Sequence, residues 1–494
     1  MGKNKGLFLL IIYFALAIYL LPMFPYGGSA NELTDWATAA SLIEKGSFDI
    51  AWTEDLIGKN ADSVKIDDRV YSKKMPGTAV LTAPFYAVTR IFVGAPDASN
   101  IRVSWFLMRF FISTLPLFLL AFWLYKSDAD EFSLAAVLFT TPIFIYSLLL
   151  YSHVFVAVTI YFAFRLLFDE RFTLRRSTLA AGFLSGLAII NEFTAIFPTI
   201  IFGIGLFFTD KRERNSRIYF YILGVLPFLI ALMLYNYTLF GAVFSMSDAY
   251  QSSAGTSEIV GQNTSLIGLP SLSNIYLLLF SPSRGLFFYS PILIFSVINF
   301  FRSKERRTLR HRVKIAAIAV SVLFVCGQTD SGWMFGARHL IFIIPLLLDT
   351  FFDGEIYDFS NIWQGFLFGL SFLFCTIPAL TFPLAPPEFQ FPHNDFFGSL
   401  LFYETWIMPN LLNNSGISTS LWTIIPPSLL LVSALYFVYE NVRRPKRFAL
   451  GLLFAAIIFA FYSFLPNLDD KKKESRRAEI IERYLKPENR SENF

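Results

Sequence analysis

Two carboxylates three residues apart open the polar chain that follows the first apolar segment. Asn31-Glu32-Leu33-Thr34-Asp35 begins a helical-looking run that lasts to Glu44 and stops at Gly46. At i, i+3, Glu32 and Asp35 share one face of that helix. Held at a lipid headgroup boundary, such a pair suits a general base or a metal ligand. The same acids also fit a plain helix N-terminus, where capping and the helix dipole favour them. Further along, Asp62 is followed by Asp67-Asp68-Arg69-Val70-Tyr71-Ser72-Lys73-Lys74-Met75-Pro76-Gly77. Acids, an aromatic ring and a lysine beside a Pro-Gly turn either hold an anionic group through Lys73 or Lys74 or form an exposed turn.

Three later groups of polar residues interrupt apolar chain: Tyr151-Ser152-His153, Ser281-Pro282-Ser283-Arg284-Gly285, and Trp333-Met334-Phe335-Gly336-Ala337-Arg338-His339. Arginine is suited to bidentate recognition of phosphate, and Arg338 beside His339 at a helix start places donors near the headgroup plane. Taken singly, each of these bases also fits a snorkelling membrane anchor. Asp128-Ala129-Asp130 resembles a metal-binding acid pair but occupies a short turn, and Gly203-Ile204-Gly205 lies inside an apolar segment with no strand before it. The sequence carries no HExxH, phosphate-loop or nucleophile-elbow motif.

The elements that must position these residues are membrane helices. The 494 residues are 55% hydrophobic and 16% charged, with a mean hydropathy of +0.53, where soluble domains carry about a quarter charged residues. Apolar runs predict crossings near 7–23, 104–125, 132–149, 153–168, 178–190, 193–208, 218–236, 286–301, 315–326, 339–352, 361–382, 421–439 and 448–465. Several are short, so the fold class is an all-α bundle of about eleven to thirteen helices. This defines one membrane domain, 1–465, decorated by the loops 24–103, 237–285 and 383–420, and a polar tail, 466–494. From Thr78 to Val93 the first loop turns apolar again around Pro84 and Arg90, as an interfacial helix would.

Basic clusters at Lys3 and Lys5, at Arg171, Arg175 and Arg176, from Lys211 to Arg217, from Arg302 to Lys314, and from Arg443 to Arg447 fall on one side of this arrangement. The positive-inside rule makes that side cytoplasmic and places the long loops outside. Loop 353–360 carries Asp353, Glu355 and Asp358 without a base, and the basic tail leaves its own side open. Bases at both ends of 178–208 favour a tight hairpin at Asn191-Glu192 over one helix burying a carboxylate at mid-membrane. The small net charge of +4 sits in these clusters, so no nucleic-acid partner is expected. Cys326 and Cys375, the only cysteines, lie in or beside apolar segments and suggest neither a disulfide framework nor a thiolate zinc site.

In order, these segments resemble the GT-C superfamily of integral membrane glycosyltransferases, and more closely a bacterial branch of it. The matching residues are Asn31-Glu32; Asp62 before Tyr71-Ser72-Lys73-Lys74-Met75-Pro76-Gly77; Thr141-Pro142 with Tyr146-Ser147 and His153; Arg284 to Pro291; and Phe335-Gly336-Ala337-Arg338-His339-Leu340 with Pro345. Asp35 stands where the branch has an arginine, Lys73 replaces an acid and Met75 a small residue. The resemblance implies inverting transfer of a sugar from a polyprenyl-phosphate-linked donor to a glycan, lipid or protein acceptor. It places this chemistry in a lipid bilayer, on the periplasmic or external face of a bacterial inner membrane. It assigns the catalytic base to Glu32, before Asp62, and the donor phosphate to Lys74, Arg284, Arg338 and His339. Asn31, Asp35, Tyr71, His153 and Glu192 would line the cavity. A divalent cation is allowed by the resemblance without being firmly required. The competing expectation is a multi-pass lipid or glycan transporter or flippase, for which internal repeats and mid-membrane charges would be expected.

Overall fold

A computed structural model describes residues 5–21, 29–97, 100–169, 175–244, 269–302, 307–328, 333–352, 360–380, 384–385, 389–394 and 420–464, with 475 and 478–479 of the tail. Arg171, Lys304, Arg306, the acids of 353–358 and most of 383–420 and of the tail lie outside the described residues.

The apolar runs fold as helices. They begin with α1 (Lys5–Leu20), and the first loop follows with α2 (Ala30–Glu44), α3 (Glu54–Ile57), a hairpin of β1 (Ser63–Ile66) and β2 (Arg69–Ser72), and α4 (Gly77–Val93). Next come α5 (Ile101–Arg109), a π turn at Phe110–Thr114, α6 (Leu115–Lys126), α7 (Glu131–Phe139), α8 (Ile143–Tyr146), α9 (His153–Phe168), α10 (Arg175–Asn191), α11 (Ile196–Leu206) and α12 (Lys211–Phe240). The chain continues through α13 (Leu272–Leu279), α14 (Leu286–Tyr289), α15 (Leu293–Arg302), α16 (Leu309–Val325), a 3₁₀ turn at Arg338–Ile343, α17 (Ile344–Phe352) and α18 (Asn361–Leu380). Among the described residues, α19 (Ser420–Asn441) and α20 (Pro445–Phe464) follow. Ile101–Lys126, Lys211–Phe240, Asn361–Leu380 and Pro445–Ser463 are long and apolar enough to cross a membrane.

Three expectations change. The run 286–301 is not one crossing, since Ser290, Pro291 and Ile292 divide it into α14 and α15. The run 132–149 is not one crossing: Thr140, Thr141 and Pro142 separate α7 from α8, and a second turn follows Tyr146. A proline and paired β-branched residues do not continue the helix, and burial of the whole stretch in the bundle lets it stay irregular at depth. The first loop holds a hairpin as well as helices. Its register pairs Ile66 with Arg69 and Ser63 with Ser72, leaving Asp67-Asp68 as a two-residue turn with Asp67 at φ 53°.

Close helix contact recurs where side chains are absent. A Cβ on Gly182 of α10 would collide with the Tyr221 carbonyl of α12, so small residues let these backbones touch. The first-loop helices form a second core against α5, with Trp36 beside Trp105 at 5.5 Å and Tyr86 at 6.0 Å. The hairpin forms a third, where Val64 and Tyr71 meet Phe240 at the end of α12. Cys326 and Cys375 are fully buried and free.

The opposite end of the bundle is locked by charge. Asp349 of α17, with no exposed surface, accepts from Lys314 Nζ at 2.7 Å, Arg165 Nη1 at 2.9 Å, Arg310 Nη2 at 3.0 Å and the Tyr161 hydroxyl at 2.9 Å. This ties α9, α16 and α17 together. Arg165 stands three turns from His153 on α9, roughly 18 Å along its axis.

Candidate active site

Helix α2 starts at Ser29, whose hydroxyl accepts from the Glu32 amide at 3.2 Å. It is seated against α5 by its buried indole: Trp36 donates to Ser104 Oγ at 2.8 Å. That seating puts Glu32 and Asp35, 1% and 3% exposed, on the inner face. Their surroundings differ. Both oxygens of Glu32 are taken, by Arg109 Nε at 2.9 Å, by Arg109 Nη2 at 3.0 Å and by the Leu150 amide at 2.6 Å. A carboxylate gripped by a bidentate guanidinium and a backbone N–H has both oxygens committed to structural partners. Glu32, first choice for the base from sequence, therefore anchors α2 to α5 and to the turn before α9.

Asp35 faces polar company of another kind. With its amide oriented as its neighbours require, Asn31 donates to Asp35 Oδ2 at 3.3 Å and accepts from Lys74 Nζ at 3.1 Å. Lys74 also pairs with Asp62 Oδ2 at 3.3 Å, and both side chains are about 30% exposed. The hairpin makes this meeting, because the Lys73 amide donates to the Asp62 carbonyl at 2.8 Å and extends the ladder to Lys74. Burial pushes the Asp35 carboxyl well above the usual carboxylate range; Lys74 pulls it down, while Asp62 and Glu32 push it further up. Tyr71 packs against Phe240, and Tyr235 stands within electrostatic reach of Asp35 and Tyr71.

A second group gathers on the neighbouring side. α10 ends at Asn191, and Glu192 turns extended at φ −153° before a 3₁₀ turn leads into α11, which is the tight hairpin expected there. Glu192 Oε2 meets His153 Nδ1 at 2.8 Å, while Oε1 accepts from Thr194 at 2.9 Å and lies 3.9 Å from His339 Nδ1. Arg338 Nε donates to His339 Nε2 at 3.1 Å. His153 is stacked on Tyr151 at 5.4 Å, and its buried Nε2 has no hydrogen-bond partner among the described residues.

The two groups adjoin at the end of α10. The Thr78 hydroxyl donates to Asn191 Oδ1 at 3.1 Å, and a Cβ on Gly77 would stand 2.5 Å from the Ile190 carbonyl oxygen. Glycine there lets the Lys74 loop rest on the end of α10. Tyr151 lies within electrostatic reach of both Arg338 and Glu32. Arg284 is buried within electrostatic reach of Tyr289, whose ring packs on Phe335 at 4.6 Å. Sequence reasoning passed over Arg109, Asn191 and Tyr235. Arg109 did carry a signal, as a charge inside an apolar run.

No protein-family model matches the chain, and no curated protein matches it either. Among solved structures it is similar to ArnT from Cupriavidus metallidurans bound to undecaprenyl phosphate, with a TM-score of 0.50 at 11% identity, covering 94% of this chain and 76% of that one. The apo state of the same ArnT gives 0.48, covering 92% and 76%, also at 11% identity. The Archaeoglobus fulgidus oligosaccharyltransferase gives 0.42 at 11% identity, covering 99% of this chain and 59% of that one. The fold is that of the GT-C membrane glycosyltransferases. Its four long apolar helices, set in this fold, make the chain a multi-pass integral membrane protein. Among the described residues, no group of three or more His, Cys, Asp or Glu side chains is arranged to hold a metal ion.

Proposed function

We propose that the chain is a GT-C glycosyltransferase that moves a sugar from a polyprenyl phosphate to an acceptor hydroxyl, with inversion, at the bilayer face carrying the first loop. The observation that carries this reading is a buried carboxylate, Asp35, set beside Lys74 at one end of a GT-C fold. Asp35 takes the part that sequence alone gave to Glu32. Its raised proton affinity makes it a better acceptor than an ordinary surface acid, and its neighbours leave it less committed than Glu32.

In the reaction, Asp35 removes the acceptor proton as the acceptor oxygen attacks C1 from the side opposite the phosphate. The C1–O bond breaks, and its electron pair goes to the phosphate oxygen, which gains one negative charge. Lys74 and Arg338 stabilise that growing charge, with His339 and Arg284 behind them. Asp62 holds the Lys74 ammonium in place, at 3.3 Å. The bases of α10 and α12 and the cations around Asp349 lie at the far end, which supports a non-cytoplasmic site by the positive-inside rule.

The test is transfer in proteoliposomes supplied with polyprenyl-phosphate sugars, the donor being chosen from the lipid-linked sugar that accumulates in cells lacking the protein. Release of free polyprenyl phosphate that Asp35→Asn abolishes supports the reading. Movement of intact lipid-linked sugar across the bilayer without that release identifies a flippase and overturns it.

A further inference from the structure

The two cations assigned to the lipid phosphate come from distant parts of the chain, Lys74 from the first loop and Arg338 from the turn before α17. One phosphate can accept from both only if their separation is held closely, because charge-assisted hydrogen bonds span about 2.7–2.9 Å and a site must keep its groups within about 0.5 Å. Both arms are held by adjacent residues at the end of α10.

Asn191 serves the lysine arm. It is 4% exposed, and both ends of its amide are engaged: Oδ1 accepts from Thr78 and Nδ2 donates to the Leu187 carbonyl at 2.8 Å. Its Cγ would meet a Gly77 Cβ at 2.7 Å, so the loop sits directly on it three residues after Lys74. Glu192 serves the arginine arm. His153 and Thr194 fix its carboxylate, which faces His339 Nδ1, and His339 Nε2 in turn accepts from Arg338 Nε. An imidazole that accepts at Nε2 carries its proton on Nδ1, and the Glu192 carboxylate 3.9 Å from that nitrogen favours this tautomer electrostatically. The break in the helix lets the two neighbours diverge, since Glu192 leaves α10 with extended backbone.

We infer that Asn191 and Glu192 form a positioning element that sets the separation of Lys74 and Arg338, Asn191 through Thr78 and Gly77 and Glu192 through His339, so that both cations reach one lipid phosphate. The inference rests on the phosphate reading above and adds how the phosphate site is built.

The test measures binding of radiolabelled undecaprenyl phosphate to the full-length protein in lipid nanodiscs, with variants combined in pairs. Glu192→Gln and Asn191→Ala should each weaken binding about tenfold, as loss of a buried or charge-assisted hydrogen bond does. In an Arg338→Ala background Glu192→Gln should add less than about twofold, and in a Lys74→Ala background Asn191→Ala should add equally little, since residues acting through a lost group show no further effect. The crossed pairs, Asn191→Ala with Arg338→Ala and Glu192→Gln with Lys74→Ala, should keep the full weakening. Equal weakening in every background indicates a general packing role and overturns the inference while the phosphate reading stands. If Lys74→Ala and Arg338→Ala both bind as well as the parent, the phosphate reading falls and takes the inference with it. Should Glu192→Gln fail to give monodisperse protein, His339→Ala breaks the same link and is read through the same pairs.

Discussion

Glu32 and Asp35 share a helix face, a degree of burial and a charge, yet they part ways because only Glu32 meets Arg109. Removing the charge from each should therefore give opposite signatures. Asp35→Asn should lower turnover by about 10²–10⁴-fold, the usual worth of a general base, with membrane expression and thermal stability retained. Glu32→Gln leaves a buried guanidinium without its counter-charge and should cost about 3–5 kcal/mol, read as a lower unfolding temperature in detergent. The raised Asp35 carboxyl also fixes a pH dependence. Below the pH at which an unfolded aspartate ionises, about 4, native and unfolded chains hold the same proton at this position, and its favourable contribution to stability is complete. That contribution is lost as pH rises through the higher native value. Catalysis runs the other way, because a base must be ionised: kcat/KM should climb with pH through that native value. An acid limb at or below about 4 would remove Asp35 as the base. The sequence displayed both acids and their spacing. What separated them was a partner 77 residues away on another helix, which no local pattern encodes.

Among the elements, the hairpin and the end of α10 decide where Lys74 stands. Gly77→Ala would drive a methyl group against the Ile190 carbonyl and should cost about 1–3 kcal/mol by overpacking. Its effect on lipid-phosphate binding should exceed that of Lys65→Ala at the exposed position of strand β1, which titration of both variants would compare. Helix α2 was legible from its first-turn acids and its Gly46 stop, and α4, α9 and α10 from hydropathy. The hairpin was not, since its turn is Asp67-Asp68 with no glycine and its strands are four residues each. The break at Thr140–Pro142 was hidden by continuous hydropathy: an apolar run shows that a segment is buried, but not that it is a single helix.

At the scale of the whole molecule, hydropathy and the order of polar motifs along the chain were enough for the architecture, while the charged lock at Asp349 was invisible because the acid and its cations lie on three separate helices, α17, α9 and α16. Asp349→Ala should destabilise the bundle by about 3–5 kcal/mol by stranding buried cations. Undecaprenyl phosphate affinity, measured in variants that remain folded, should change less than about twofold, as expected of well-separated sites. Since Lys74 and Arg338 supply positive charge at the proposed phosphate, chelating divalent ions should leave transfer within about twofold, and a steeper loss would bring an ion into the mechanism. The sheltered thiols of Cys326 and Cys375 make sidedness directly measurable. Because both are out of reach of water, a membrane-impermeant maleimide would report only on a cysteine engineered at the open Asp67-Asp68 tip, so intact cells could be labelled in the native background to show which compartment the first loop occupies.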